Sequence, residues 1–287
     1  MISIVIPARN EAGAIARTLN ALTQGVLPGE LDIIVVCNGC TDNTAEIAGR
    51  YGNPVRVAQI AIANKSRALN FGDRIACSAF PRIYVDADVE ISLDTIRALA
   101  CRLSKGDVLA VAPTAQIDIS GCSWPVRWFL QIASLLPSAK EGIGSSGVYA
   151  LSRAGRSRFD EFPNLIADDA YVRMQFKPQE TETIATLSSA VFPPRKMKDL
   201  IRVRTRIRYG HIELARLFPQ RWRNREHRNN KAILTLFKQL TLWPKLIIYC
   251  YVMIIARIKA TRRFHKSFCR WERDDTSRIA IARSSKP

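Results

Sequence analysis

Arg82-Ile83-Tyr84-Val85-Asp86-Ala87-Asp88 is the stretch on which the fold turns. An apolar and aromatic run of strand length leads straight into two carboxylates one residue apart. Such a run fits a strand buried on both faces, the kind that parallel sheets contain. Two carboxylates beyond its end repel each other if both are ionised and unpaired. A hard divalent cation removes that cost. Mg2+ or Mn2+ commonly takes one or two carboxylates and completes its shell with phosphate oxygens. The same triplet also serves as a turn and a helix cap, so its meaning depends on what neighbouring strands present.

Outward from this stretch the same unit repeats. Residues 2–6, 32–36, 55–60 and 108–113 are apolar runs of strand length, and 12–23, 41–51, 65–78 and 94–103 carry helical periodicity. Ile15, Leu19 and Leu22 fall on one helix face, and Thr41 or Asp42 is placed to cap the second helix. Alternating strands and helices predict an α/β chain with a mostly parallel sheet covered on both faces. Beyond residue 113 the pattern is less regular. A helix is predicted over 124–136, a Gly/Ser loop over 142–147, a short strand over 148–151, a helix opening over 167–176 and extended chain over 183–192. Pro193-Pro194 then marks a boundary. It divides an α/β domain, 1–194, from a basic helical region, 195–287, with long helices near 195–217 and 230–260.

In an open parallel sheet, ligands bind beyond the C-terminal ends of the strands. After the first strand come Pro7-Ala8-Arg9-Asn10-Glu11, and after the second Cys37-Asn38-Gly39-Cys40-Thr41-Asp42. After the third come Asn64-Lys65-Ser66-Arg67, and after the fourth the Asp86, Asp88 pair. Acidic groups thus meet basic ones on a single edge, as holding a nucleoside diphosphate and its metal requires.

With these strand ends in view, residues 2–11, 33–44 and 84–88 together resemble the family 2 glycosyltransferases of the GT-A fold. That family combines an apolar strand ending in Pro-x-x-Asn-Glu, a strand ending in an Asp-Asp-Gly-Ser-Thr-Asp-like turn, and a DxD-type strand end. The resemblance extends over the first two-thirds of the chain. It implies a GT-A-type nucleotide-diphospho-sugar transferase fold and inverting sugar transfer from a nucleotide donor. It also implies a divalent metal, Mn2+ or Mg2+, at Asp88 and Asp86. Donor contacts fall to Pro7, Ala8, Arg9, Glu11, Asn38, Lys65 and Asp86. One departure concerns the paired acids usual in the second turn, which are Cys37-Asn38 here. The second of that pair typically meets the donor base. An amide both donates and accepts, whereas a carboxylate only accepts. UDP is the expected nucleotide.

The family places its base in a late acidic motif at a helix start, and Asp168-Asp169 fill that slot. An inverting transferase needs a carboxylate opposite the leaving diphosphate to take the acceptor's proton. Asp169 is assigned that task, and Asp168 the helix start or acceptor contact. Simple helix capping is the alternative for both. Gly144, Ser145, Ser146 and Gly147 are small enough for a sugar to approach the backbone, and are assigned to the acceptor; a plain surface loop is the alternative. Arg202, Arg204, Arg206 and Arg208 alternate with other residues. Some family members carry an Arg-rich motif near the donor diphosphate, where an arginine fork suits phosphate oxygens. Arg206 and Arg208 are the candidates, against a basic helix facing solvent or membrane.

Other classes lack their anchors. Cys37-x-x-Cys40 invites a redox or zinc reading, but a second CxxC is missing and His211, His227 and His265 lie far along the chain. Cysteine is also a small buried residue. Neither GxxxxGK[ST] nor a strand-following GxGxxG occurs. A sugar-phosphate nucleotidyltransferase would want a Gly-rich loop with a basic residue after the first strand, which residues 7–11 do not supply.

The formal net charge is +18, and residues 193–287 hold 25 of the 43 Lys and Arg but 6 of the 25 Asp and Glu. The C-terminal third therefore carries the whole excess, as expected of a segment that binds nucleic acid or an anionic membrane. Residues 246–256, LIIYCYVMIIA, are eleven in a row without charge. As a helix they extend roughly 16 Å, against about 30 Å of bilayer hydrocarbon. Extension to 240–258 takes in Pro244, Lys245 and Arg257. Basic clusters at 221–238 and 257–266 flank both ends, so a single span strands one of them on the wrong side. A helix lying in the plane of an anionic surface is expected, with a span and a buried core helix as alternatives. Acidic strand ends disfavour nucleic acid near the sheet. Seven cysteines over this length do not suggest a disulfide scaffold, and the first residues lack a signal-peptide pattern. The expected setting is the cytoplasmic face of the inner membrane, with a saccharide or lipid-linked acceptor in polysaccharide or glycolipid assembly. Residues 271–278, WERDDTSR, are dense in polar groups and receive no role.

Overall fold

The apolar runs pair into one seven-stranded sheet in the order β3-β2-β1-β4-β6-β5-β7. The structure is a computed structural model and describes residues 1–222 and 227–265. Its strands are β1 (Ile2–Ala8), β2 (Leu31–Asn38), β3 (Val55–Ile60), β4 (Arg82–Val85), β5 (Ala110–Ile117), β6 (Val148–Leu151) and β7 (Thr181–Val191). β1 runs parallel to β2 and β4, and β2 parallel to β3. Every residue of β2 and β4 is buried, which explains why these strands read as unbroken apolar runs rather than alternating ones.

The sheet is mixed at one point. β6 enters between β4 and β5 and runs antiparallel to both. Length and hydropathy specify that β6 exists, but not which neighbours it takes. Its direction matters for the site. Val148 at the start of β6 pairs with Val85 at the end of β4, so the loop before β6 arrives beside Asp86.

Helices cover both faces. α1 (Ile15–Thr23), α2 (Thr44–Gly49) and α4 (Leu93–Ser104) bury Ile15, Leu19, Leu22, Ile96 and Leu99 on one. α3 (Lys65–Ile75), α6 (Arg153–Arg156) and α7 (Asp168–Arg173) lie beyond β3, β6 and residue 167 respectively. Ala68, Leu69, Tyr171 and Val172 pack with Val5, Ile34 and Val36. The second helix begins three residues later than its periodicity suggests. Asp42 stands outside it, its carboxylate accepting the Thr44 N–H at 3.1 Å.

The remaining helices are α5 (Trp124–Ser134), α8 (Met197–Leu217), α9 (Pro219–Trp222), α10 (His227–Leu236) and α11 (Trp243–His265). The helix expected near 230–260 is therefore two, broken by a short turn at Leu240–Leu242. Pro244 sits in the first turn of α11, where its missing N–H costs nothing. α5, α8 and α11 share an apolar cluster that includes Phe129, Ile132, Leu200, Leu246, Tyr249 and Val252. The rings of Phe129 and Tyr249 stack at 5.0 Å. The far end of α8 joins the sheet layer instead, through Leu214. Residues 271–278, and Lys266 of the second basic cluster, lie outside the described residues.

Candidate active site

Lys65 opens α3 immediately after its cap, where the Asn64 side chain accepts the Arg67 N–H at 2.9 Å. From there its ammonium reaches two carboxylates that are far apart in sequence. Nζ lies 2.8 Å from Asp86 Oδ1 and 3.1 Å from Asp168 Oδ2. Burial alone would depress the Lys65 pKa, but the carboxylates of Asp168, Asp86 and Asp169 outweigh it and hold it above its ordinary value. Burial pushes Asp168 up to about 6; Lys65 opposes that shift, while Asp169 and Asp86 add to it. The strand ends therefore carry concentrated negative charge with one ammonium inside it.

The acid pair after β4 is fixed through its backbone. Thr18 Oγ1 donates to the Ala87 carbonyl at 2.9 Å, and Arg17 donates to the Asp88 carbonyl at 3.3 Å. Asp86 N–H donates to Gly147 O at 2.9 Å. Main-chain contacts thus set the turn and leave the side chains to other work. The site suits a divalent cation in the chemistry of its donors, two hard carboxylates at Asp86 and Asp88. Among the described residues no group of three or more His, Cys, Asp or Glu could hold a metal by itself. A two-carboxylate site fits an ion whose shell is completed by a diphosphate and water.

Gly144 and Gly147 both adopt left-handed backbone, φ +97° and +66°. A Cβ on Gly147 would lie 2.5 Å from Val89 Cγ2, and one on Gly144 would lie 3.1 Å from Asp169 Oδ2. The loop's main chain is thereby drawn up against both ends of the acidic group. Its two serines hold the loop itself. Ser146 is buried with its hydroxyl 2.7 Å from both the Gly142 and Val148 carbonyls, its single proton serving the pair, while Ser145 donates to Glu141 O. Glu141 in turn pairs with Arg173 at the end of α7. Asp169, unlike Asp168, is only partly buried, and its Oδ1 accepts the Ala170 N–H at 2.7 Å.

Across the site, the loops after β1 and β2 are stitched together. Asn38 is buried and donates its amide to Ala8 O at 2.9 Å. Glu11 N–H donates to Thr44 Oγ1 at 2.7 Å, and Thr41 N–H to Asn10 Oδ1 at 2.7 Å. Arg9 Nε is buried with no hydrogen-bond partner among the described residues. Pro7 and Ala8 close β1 beside Val36 and Cys37.

Of the arginines on α8, Arg204 turns to the Phe129 ring at 4.8 Å, toward α5. Arg206 precedes Gly210 by one turn. A Cβ on Gly210 would lie 2.9 Å from Ala167 Cβ, and Glu213 accepts the Ile166 N–H at 3.0 Å. That face of α8 therefore backs directly onto the acidic motif. Arg208 lies on the same helix, with its Nε buried.

Three participants are not evident from the sequence. Arg17 and Thr18 sit on an ordinary helical face, and nothing in their pattern announces that they hold the Asp86 turn. Tyr149 is the second residue of a short strand, yet its hydroxyl is buried with no hydrogen-bond partner among the described residues. Its ring stacks on Tyr84 at 4.9 Å. Burial, and then the Asp168 carboxylate, raise its pKa well above the ordinary value, so it stays a neutral phenol.

On the outer surface, α11 divides its apolar residues between two faces. Leu246, Tyr249, Val252, Ala256 and Ala260 are buried, whereas Ile247, Tyr251, Ile254 and Ile258 are exposed. By length and composition Leu240–His265 is sufficient to cross a membrane.

Comparison with known proteins bears on the family and the fold. The model of the family described as "Glycosyl transferase family 2" matches residues 3–157. A 4,4'-diaponeurosporenoate glycosyltransferase of Staphylococcus aureus is 40% identical over 93 residues, which are 31% of this chain and 24% of that protein. The chain thus aligns with about a quarter of that curated relative's length. Among solved structures, a mannosyltransferase from Pyrobaculum calidifontis in complex with GDP-Man and Mn2+ superposes with TM-score 0.65 at 16% identity, covering 93% of this chain and 87% of its own. Glucosyl-3-phosphoglycerate synthase from Mycobacterium tuberculosis, solved with Mn2+ and UDP, gives 0.55 at 19% identity over 75% of this chain and 79% of its own. At these identities the structures establish a shared GT-A fold.

Proposed function

The chain belongs to glycosyl transferase family 2, and from that premise we propose that it is an inverting transferase moving a sugar from a UDP donor to a saccharide or lipid-linked acceptor. The observation that carries the proposal is the Lys65 ammonium held between Asp86 and Asp168, with Asp169 alongside and less buried. A donor diphosphate would meet Lys65 and Arg206 or Arg208, and its nucleoside would extend toward Arg9, Glu11 and Asn38. A divalent ion at Asp86 and Asp88 would offset charge on the departing diphosphate. Asp169, beside Gly144, would take the proton of the acceptor hydroxyl as the new bond forms. The loop 144–147 would shape the acceptor's approach through its main chain, since its serine hydroxyls are committed internally.

Support for UDP comes from the mycobacterial structure solved with UDP and Mn2+; the archaeal one holds GDP-Man. The staphylococcal relative is named for transfer to 4,4'-diaponeurosporenoate, which favours an acceptor other than a free sugar. We place the enzyme at the cytoplasmic face of a membrane, in polysaccharide or glycolipid assembly, with residues 195–287 as its attachment region. α11 supports this placement, because one face packs on α5 and α8 while the opposite face is apolar and exposed. A helix so engaged lies along the surface; to span, it would have to leave its cluster. Turnover of a panel of UDP- and GDP-sugars, measured as nucleoside diphosphate released with Mn2+ present, tests the proposal. UDP release should exceed GDP release and should need Asp169. Release of neither nucleotide from any donor overturns it.

A further inference from the structure

Cys37 and Cys40 have no task in the transfer reaction as derived. Cys37 is the next-to-last residue of β2, buried and in register with Ala8 of β1. Gly39, with φ +58°, turns the chain so that Cys40 packs against the core cluster that contains Cys37. Cys40 is only partly buried. Its Sγ accepts the Asn10 N–H at 3.4 Å and donates to Ala8 O at 3.5 Å. Asn10 is itself in left-handed backbone, φ 49°. The sulfur pair therefore lies inside the seam joining the loops after β1 and β2, flanked by Arg9 and Asn38.

We propose that Cys37 and Cys40 form an oxidisable dithiol, closed to a disulfide by exchange with a low-molecular-weight disulfide, and that closure loosens the seam and weakens donor binding. The effect on the donor rests on reading this seam as the donor pocket. In the exchange, the Cys40 thiolate attacks one sulfur of the small disulfide and expels one thiol. Cys37 then loses its proton, attacks the Cys40 sulfur and expels the second. Two electrons and two protons pass from the pair to the small disulfide. The order of attack follows from access and acidity. Cys40 is the more exposed, and the neighbouring Cys37 thiol holds it down to about 6 although burial opposes this. Cys37 is held above its ordinary value by the neighbouring Cys40 and by burial. In the disulfide, Cys40 Sγ is drawn toward Cys37 and away from the Asn10 N–H, whose hydrogen bond it accepts in the reduced protein.

The test equilibrates the full chain in mixtures of reduced and oxidised glutathione. Three readouts follow: mass of the peptide carrying both cysteines, amide exchange at Asn10, and UDP affinity with Mn2+. The expected result is loss of two hydrogens from that peptide, faster exchange at Asn10, and UDP affinity lower by about tenfold, the scale of one hydrogen bond, restored by dithiothreitol. Cys40→Ser should hold the seam through its hydroxyl and show none of these responses. A pair that stays reduced in oxidised glutathione overturns the proposal, as does a disulfide that leaves exchange at Asn10 and UDP affinity unchanged. Failure of the reduced protein to bind UDP counts against the donor reading, while peptide mass and Asn10 exchange still decide whether the switch exists.

Discussion

Around Lys65 carboxylates converge on one ammonium, whereas along α11 apolar side chains line the outer face and basic residues stand at its ends. The two regions use charge differently. At the sheet edge Lys65, Asp86 and Asp168 have placed partners within hydrogen-bond reach, in surroundings that screen poorly. In the helical third the basic residues are dispersed, and each would contribute only about 1 kcal/mol near an anionic surface. Single substitutions should therefore act strongly at the edge and weakly on the helices, and the following expectations are ranked on that basis.

Asp169→Asn should lower transfer by roughly 10²-fold or more, the scale of a missing general base, with UDP affinity retained. Steady-state turnover beside calorimetry checks this. A variant that turns over normally moves the base elsewhere and removes the distinction between Asp168 and Asp169. Lys65→Met should destabilise the fold by about 2 kcal/mol. Removing one partner of a fully buried pair costs about 3–5 kcal/mol, but Asp86 is 39% exposed and the loss is discounted accordingly. Denaturant titration measures it, and an unchanged midpoint would mean the cluster does not depend on its ammonium.

Gly147→Ala tests the loop rather than the charges. The added carbon would meet Val89 at 2.5 Å on a left-handed backbone, a strain of order 1–3 kcal/mol. Stability and turnover should fall together. Full activity would show that the loop yields freely and has no share in the site.

The smallest effects belong to α11. Deleting it would uncover Phe129 and the rest of the shared cluster, so surface substitution is the cleaner probe. Ile247→Glu with Ile254→Glu places charge on the exposed face only, where the side chains are 68% and 57% accessible. Binding to anionic vesicles should weaken, and the part that survives high salt should disappear, because apolar insertion is not screened. The thermal midpoint should change little. Unaltered vesicle binding would assign that face to another partner.

The sheet was legible because its central strands are buried on both faces, so hydropathy alone marks them. Lys65, Asp86 and Asp168 could each be picked out as strand-end or helix-start residues. That Lys65 bridges the other two could not, since it depends on β6 entering antiparallel beside β4. Four apolar residues at 148–151 fit several positions in a sheet equally well. The roles of Arg17, Thr18 and Tyr149 were hidden for a related reason: their contacts are made to main chain or within the core, and leave no pattern along the sequence. In the helical third, periodicity found the helices but ran through the break at Leu240–Leu242, where leucines continue the apolar pattern while the backbone tightens.

The most direct test is calorimetry of the full chain with UDP, with and without Mn2+, for the wild type and Asp88→Ala. If Asp86 and Asp88 hold a metal for a nucleoside diphosphate, wild-type affinity rises with Mn2+ and the variant loses that gain while keeping its thermal midpoint. UDP affinity that is the same in both proteins, or indifferent to Mn2+, would contradict the assignment.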